Sequence, residues 1–219
     1  MRFEVKGNPS YGEVDVDLGP NETLLIEPGA MSRMSSNLSS SFQRQGGFFS
    51  AMFRKMFGGE NFFLGKYEHP DGGKLTFAPS IPGHVEHRQL TNNSLNIMAG
   101  GFLACTPGVN IKAKFGGLKA LFSGEGAFLL EASGSGDLFF NSFGGVVEKQ
   151  INGEFIVDTG HVVAFDPSLD YKITGMGSFK STMLSGEGMV MRFSGNGKLY
   201  LQTRNVSSIA SWLTPRLLG

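Results

Sequence analysis

Cysteine and tryptophan occur once each in 219 residues, as Cys105 and Trp212. A lone cysteine excludes an intrachain disulfide and fits a reducing compartment. Charge of one sign is not in excess: 19 Lys and Arg balance 19 Asp and Glu, for a formal net charge of zero. That removes the overall basic excess usual in nucleic-acid binders and leaves only the option of a local basic face. No uninterrupted apolar run approaches the roughly 20 residues of a membrane-spanning helix. The opening run Met1–Lys6 alternates like a strand and lacks the apolar core of a signal peptide. The expectation is a soluble cytoplasmic protein. Also missing are a Gly-x-Ser-x-Gly elbow, a P-loop and a dinucleotide fingerprint.

What the chain has in quantity is glycine, 32 residues spread along its length, with 9 prolines and 20 phenylalanines. Scattered glycine and proline fit frequent tight turns. Phenylalanine offers a large burial area with no polar atom to satisfy, so it suits a close-packed interior. Short stretches such as Val109-Asn110-Ile111-Lys112-Ala113 and Leu169-Asp170-Tyr171-Lys172-Ile173 alternate apolar and polar, the sign of half-buried strands. The fold class predicted is all-β, with a single domain over 1–205 and a short C-terminal helix and tail over 206–219.

Three landmarks each occur three times in the same order. A strand ending in a turn reads Leu24-Leu25-Ile26-Glu27-Pro28-Gly29, then Phe102–Gly108 through Thr106-Pro107, then Val162–Ser168 through Asp166-Pro167. A short segment closing on Gly-Glu ends at Glu60, Glu125 and Glu187, and glycines upstream leave room for one to three helical turns in each copy. A hairpin follows, through Asp71-Gly72-Gly73, Ser133-Gly134-Ser135-Gly136 and Ser194-Gly195-Asn196-Gly197. The landmark prolines are unevenly spaced, by 79 and then 60 residues, whereas Leu75, Leu138 and Leu199 are 63 and 61 apart. The copies fall at about 12–78, 83–141 and 144–202. One unit cannot bury its apolar face alone. Three units about a pseudo-threefold axis cover one another, which predicts a double-stranded β-helix or β-prism-like barrel with short helical segments.

The opening Phe3-Glu4-Val5-Lys6-Gly7, the turn Glu27-Pro28-Gly29-Ala30-Met31 and the repeated Gly-Glu-Gly resemble the altered-inheritance-of-mitochondria family over nearly the whole chain. The resemblance implies the fold of the tryptophan RNA-binding attenuation protein and, for eukaryotic members, a setting near the mitochondrial inner membrane. With no transit peptide, the chain looks like a bacterial member. The family carries no established catalytic residues, so none is transferred.

Candidate chemistry is sparse. His84 and His87 are three apart in a strand, where their side chains diverge, so no metal site is expected. Cys105 has no base nearby in sequence and reads as a buried thiol. The Ser133–Gly136 run is taken as a structural turn and not a phosphate nest. Glu60, Glu125 and Glu187 form a candidate acidic cluster if pseudosymmetry brings them together, although each more simply satisfies its own turn. Ser35–Ser41 lacks periodicity and reads as a mobile loop. In the longer middle segment of copy one, Phe49, Met52, Phe53 and Met56 follow helical spacing, with Phe48 beside them. Arg54 and Lys55 lie off that stripe, which makes it a candidate interaction segment for a protein groove or an anionic membrane surface. Ser207–Leu213 reads as a capped helix that Pro215 stops, with Trp212 docking it on the barrel or on a neighbouring subunit.

The leading functional expectation is a non-enzymatic structural or interaction module without cofactors, assembled as a homo-oligomer with a trimer as first guess. An alternative by fold analogy is RNA binding through Lys112, Lys114, Lys119, Lys172 and Lys180, although a nucleic-acid partner is not expected. A small-molecule-binding barrel is the third reading.

Overall fold

The computed structural model describes residues 1–44, 63–114, 129–175 and 189–217. Among them are fifteen β-strands, one 3-10 turn at Thr159–His161 and a single α-helix. The chain is all-β.

The first third carries β1 (Arg2–Lys6), β2 (Glu13–Leu18), β3 (Thr23–Ile26), β4 (Met31–Met34), β5 (Ser39–Arg44), β6 (Phe63–Glu68) and β7 (Gly73–Phe77). The second carries β8 (Val85–Met98), β9 (Phe102–Cys105), β10 (Val109–Lys114) and β11 (Leu129–Asn141). The last carries β12 (Val146–Asp158), β13 (Val162–Phe165), β14 (Leu169–Gly175), β15 (Met189–Gln202) and the helix α1 (Val206–Leu217). Strand β2, Glu-Val-Asp-Val-Asp-Leu, shows why such runs pair: its valines and leucine are buried on one face while its acids point the other way.

One sheet has four strands in the order β1-β2-β7-β4. The other has eleven, along the path β12-β15-β13-β8-β11-β9-β3-β6-β5, with β10 added on β11 and β14 on β15. Neither closes into a barrel, contrary to the β-helix or β-prism-like barrel expected from the sequence. Strand β3 meets β9 through Leu25↔Cys105 and Ile26↔Ala104. Strand β8 meets β13 through Ile97↔Ala164 and Asn96↔Phe165. No corresponding bridge joins β12 to β4 among the described residues, so β12 and β5 remain the ends of an open sheet.

The three thirds share detailed bonding. Strands β4, β9 and β13 lie on β7, β11 and β15, each with a register shift, and Met34↔Leu75, Cys105↔Leu138 and Phe165↔Leu199 are the matching pairs. The residue after each strand is Ser35, Thr106 or Asp166. Its amide donates to the carbonyl of Lys74, Asp137 or Lys198, at 2.8, 3.0 and 2.9 Å. Its side-chain oxygen accepts the amide of that same partner, at 3.0, 2.9 and 2.9 Å. Its carbonyl accepts the amide three residues on, from Leu38, Val109 or Leu169, at 3.1, 3.0 and 3.1 Å.

In the first third this position belongs to Ser35, whereas the sequence matched Glu27-Pro28-Gly29 to the other two. The position is defined by a short side-chain acceptor that caps a neighbouring amide, and Ser, Thr and Asp all supply one; the Pro-Gly that drew the match is incidental. It also follows that Ser35–Leu38 is an ordered turn and Ser39–Ser41 part of β5, not a mobile loop. Backbone pairing to β6 and the Ser39 hydroxyl bond to Glu68 O at 2.8 Å hold that strand without apolar alternation.

The glycine runs of the last two thirds are not hairpin turns either. β11 and β15 run unbroken through Ser133–Gly136 and Ser194–Gly197. The glycines bend a continuous strand under the capping turn: Gly134 and Gly136 have φ of +123° and +147°. A Cβ on Gly134 would stand 2.3 Å from Gly108 O, and one on Gly136 2.2 Å from Thr106 Oγ1. Only at Asp71-Gly72-Gly73 does a break separate two strands, β6 and β7.

Phenylalanine fills the interior as its abundance predicts. Phe77, Phe102, Phe139, Phe140, Phe165 and Phe193 are all fully buried. Edge-to-face pairs join Phe77 to Phe139 at 5.4 Å and Phe165 to Phe193 at 5.1 Å, each contributing about 0.5–1.5 kcal/mol beyond its buried area. The middle apolar cluster draws residues from all three thirds, including Leu25, Phe140 and Tyr200.

Candidate interaction surface

The candidate interaction residues Phe48, Phe49, Met52, Phe53 and Met56 and the candidate acidic residues Glu60, Glu125 and Glu187 lie outside the described residues. The surface that can be built from described side chains is set by the open sheet and by α1.

Among the described residues, β5 pairs only with β6 at one end of the larger sheet, and β12 pairs only with β15 at the other. Each end strand carries apolar side chains in solvent: Phe42 is 77% exposed on β5, and Val147 and Ile156 are 48% and 46% exposed on β12. On β12 these sit among Glu148, Lys149, Gln150 and Glu154, all exposed, while Ile151 and Val157 turn inward. An unpaired edge offers free N–H and C=O groups to another strand. Which strand ends the sheet was not visible in the sequence.

Helix α1 starts at Asn205, whose Oδ1 accepts the amides of Ser207 and Ser208 at 2.9 and 3.4 Å. None of its side chains is buried. Val206, Ile209, Leu213 and Leu217 follow helical spacing on one face, with Trp212 beside them 59% exposed. Trp212 therefore does not dock the helix on its own domain. Pro215 does not stop the helix, which runs to Leu217. Proline's fixed φ is compatible with a helical turn. In the same turn Thr214 Oγ1 donates to Ala210 O at 2.7 Å, and Arg216 donates to Trp212 O and stacks 4.2 Å over the indole.

Groups with chemical potential are satisfied elsewhere. Cys105 is fully buried, its thiol pointing to Val109 O at 3.8 Å, and burial pushes its pKa up to about 12. His84 Nε2 lies 3.0 Å from Glu86 Oε2, and His87 Nε2 lies 2.9 Å from Asp137 Oδ1, so the two imidazoles serve separate partners as strand geometry predicts. Among the described lysines, Lys114 pairs with Glu131 at 2.8 Å. Lys112 and Lys172 are exposed but lie on different strands, β10 and β14.

An open cavity of about 610 Å³ on the four-stranded sheet is lined in part by Arg2, Asp15, Arg33 and Lys74. Asp15 and Arg33 sit in a network of paired charges. Asp15 accepts from Lys6 at 2.7 Å, Arg33 at 3.0 Å and Thr76 at 2.5 Å. Arg33 grips Glu13 at 2.8 and 3.0 Å. The Lys6 bond, then that of Thr76, holds the Asp15 carboxyl below its usual range, and Arg33 does so for Glu13.

Among the described residues no cluster of His, Cys, Asp and Glu has the arrangement of a metal site. No described helix is long and apolar enough to cross a membrane.

Comparison with known proteins covers nearly all of the chain. The family model described as Mitochondrial biogenesis AIM24 matches residues 3–204. An uncharacterised protein of Streptococcus pyogenes serotype M6 is 29% identical over 222 residues, spanning 97% of this chain and 90% of that protein. The crystal structure of a Streptococcus pyogenes protein solved as a structural-genomics target superposes with a TM-score of 0.81 at 28% identity, over 98% of this chain and 99% of the other.

Proposed function

This chain belongs to the Mitochondrial biogenesis AIM24 family, and from that premise we propose that it is a non-enzymatic interaction module that assembles with copies of itself. The observation that carries the reading is the pair of end strands, β5 and β12, each with one free edge among the described residues and with apolar side chains in solvent. Soluble proteins protect sheet edges with charge, proline, bulges or a covering element. Strand β12 carries such charge in Glu148, Lys149 and Glu154, yet Phe42 and Ile156 leave apolar surface on the two end strands, which a closed ring of copies would bury by symmetry.

The number of copies follows from an internal threefold. We infer that the chain is three copies of one unit about a shared axis, on the strength of the matched registers of β4, β9 and β13 and the matched capping by Ser35, Thr106 and Asp166. Two of three inter-copy bridges form within the chain, β3 to β9 and β8 to β13. The bridge that would join β12 to β4 does not form among the described residues, which leaves β12 free to pair with another chain, and three is the number of copies this reading takes from the internal order.

The test is light scattering on the wild type and on Phe42→Lys with Ile156→Lys, across a wide dilution range. The reading expects a trimer mass for the wild type and a folded monomer for the double variant. A wild-type monomer at every concentration overturns it, as does an unchanged mass in the variant.

A further inference from the structure

We propose that the cavity beneath the Glu27 turn binds a small organic ammonium ion, a primary amine carrying a short apolar tail. The cavity measures about 340 Å³ and lies where the Glu27-Pro28 turn, the Met98–Gly101 turn and Val162-Val163 of β13 converge. It thus draws on all three thirds of the chain, and its size falls in the range of small-molecule sites. Its walls mix apolar side chains, Pro28, Ile81, Met98 and Val163 among them, with polar ones.

Two polar groups in this lining lack a partner. Asn141 is only 3% exposed, and its Oδ1 accepts no hydrogen bond. Buried polar atoms are nearly always paired, so this acceptor beside the cavity is an uncompensated one. The second is the Glu27 carboxyl. Its residue is anchored by backbone alone, the amide to Leu103 O at 2.9 Å and the carbonyl from Ala30 N at 3.1 Å. No donor among the described residues reaches the carboxyl itself. The two groups come from adjoining backbone: Asn141 N donates to Gly101 O at 2.8 Å, two residues before the Leu103 carbonyl that holds Glu27.

The other polar side chains on the lining besides Asn141, those of Ser80 and Gln202, carry no charge. Gln202 spends both ends, donating to Gly160 O at 2.7 Å and accepting from Phe143 N at 2.9 Å. What remains without a donor on the cavity lining is the ionisable Glu27 carboxyl beside apolar side chains. An ammonium group suits it: it is all donor, it neutralises the carboxylate, and its carbon tail takes the apolar part of the wall.

Burial without a counter-charge pushes the Glu27 pKa up to about 7. A bound cation reverses that, so binding expels the residual proton, and affinity rises with pH until Glu27 is ionised. No other residue lining the cavity is titratable. His161 stands behind it, with Nδ1 2.8 Å from Gln202 O.

The experiment titrates the full chain with butylamine and with neutral butanol, following calorimetric heat and melting temperature at pH about 8 and about 5.5, on either side of the Glu27 transition. The expected result is saturable stabilisation by the amine at the higher pH, at least tenfold weaker at the lower pH, and none by the alcohol. Near neutrality the heat should depend on the ionisation enthalpy of the buffer, reporting release of a fraction of a proton. Glu27→Gln preserves shape and should lose the amine response at both pH values. Absence of any amine response in the wild type up to about 10 mM overturns the proposal, as does an equal response in Glu27→Gln or to butanol.

Discussion

Consider an alanine at Gly134 or Gly136, two glycines that face the same capping turn but meet different obstacles. Both hold positive φ inside a continuous strand, a conformation that costs a side-chain-bearing residue about 1–3 kcal/mol. At Gly134 the new Cβ stands 2.3 Å from Gly108 O, a backbone atom that moves only if the whole turn moves. At Gly136 it stands 2.2 Å from Thr106 Oγ1, which can rotate away at the loss of its bond to the Asp137 amide. That bond is worth about 1 kcal/mol. Gly136→Ala should therefore cost about 2–4 kcal/mol and Gly134→Ala at least as much. The two differ in rescue. Combining Gly136→Ala with Thr106→Ala removes the obstructing hydroxyl, and the nearest remaining turn atoms are Val109 Cγ2 at 3.3 Å and Thr106 Cβ at 3.5 Å. The pair should be less destabilising than the sum of the singles by about 1 kcal/mol. Gly134→Ala gains nothing from Thr106→Ala. Urea denaturation of the four combinations at each site measures this directly. Strict additivity at Gly136 would refute the claim that the turn and the glycine are fitted to each other. Costs no larger than that of Gly145→Ala, whose Cβ meets nothing nearer than 3.7 Å, would refute the strain argument altogether.

Burial raises the Glu27 pKa from 4.5 to about 7, so its charged form is the disfavoured one and ligand-free stability falls as pH rises between those values. The full shift is worth about 3 kcal/mol, and partial solvent access reduces this to about 2. Glu27→Gln should match the wild type in acid and exceed it above neutrality by that amount; parallel pH profiles for the two proteins would exclude it. Cys105, with its thiol pushed up to about 12 and fully buried, should resist a thiol reagent in native protein and react at once in urea. Rapid native labelling would show that the strand β9 region opens.

The β character was legible because it rests on local properties: alternation in β2, β10 and β14, and glycine and proline between them. The three matched landmarks were legible for the same reason, but the capping position in the first third was not. The eye matches Glu27-Pro28-Gly29 to Thr106-Pro107-Gly108, whereas the bonding matches Ser35 to Thr106 and Asp166. Identity of turn residues is a weaker guide than the requirement for a side-chain acceptor, which several residue types meet. The uneven spacing of 79 and 60 residues between landmark prolines was the clue to the misregistration. Bent strands were mistaken for hairpins because positive φ glycines serve both; what separates them is the turn stacked above, and that contact comes from about 27 residues away in sequence for the pair Gly108 and Ser135.

Asn141 shows most sharply why the candidate binding group escaped notice. Nothing marks an asparagine at the end of β11 as special, since the end of a strand is an ordinary place for one. Its significance arises from three non-local facts: it is buried, its Oδ1 is unpaired, and a carboxylate from another third of the chain lines the same cavity. The same logic applies to Phe42 and Ile156, whose neighbours along the chain are unremarkable. They matter because the path β12-β15-β13-β8-β11-β9-β3-β6-β5 happens to end on their strands. Local chemistry sets what each strand is; the order in which strands meet sets which of them has work left to do.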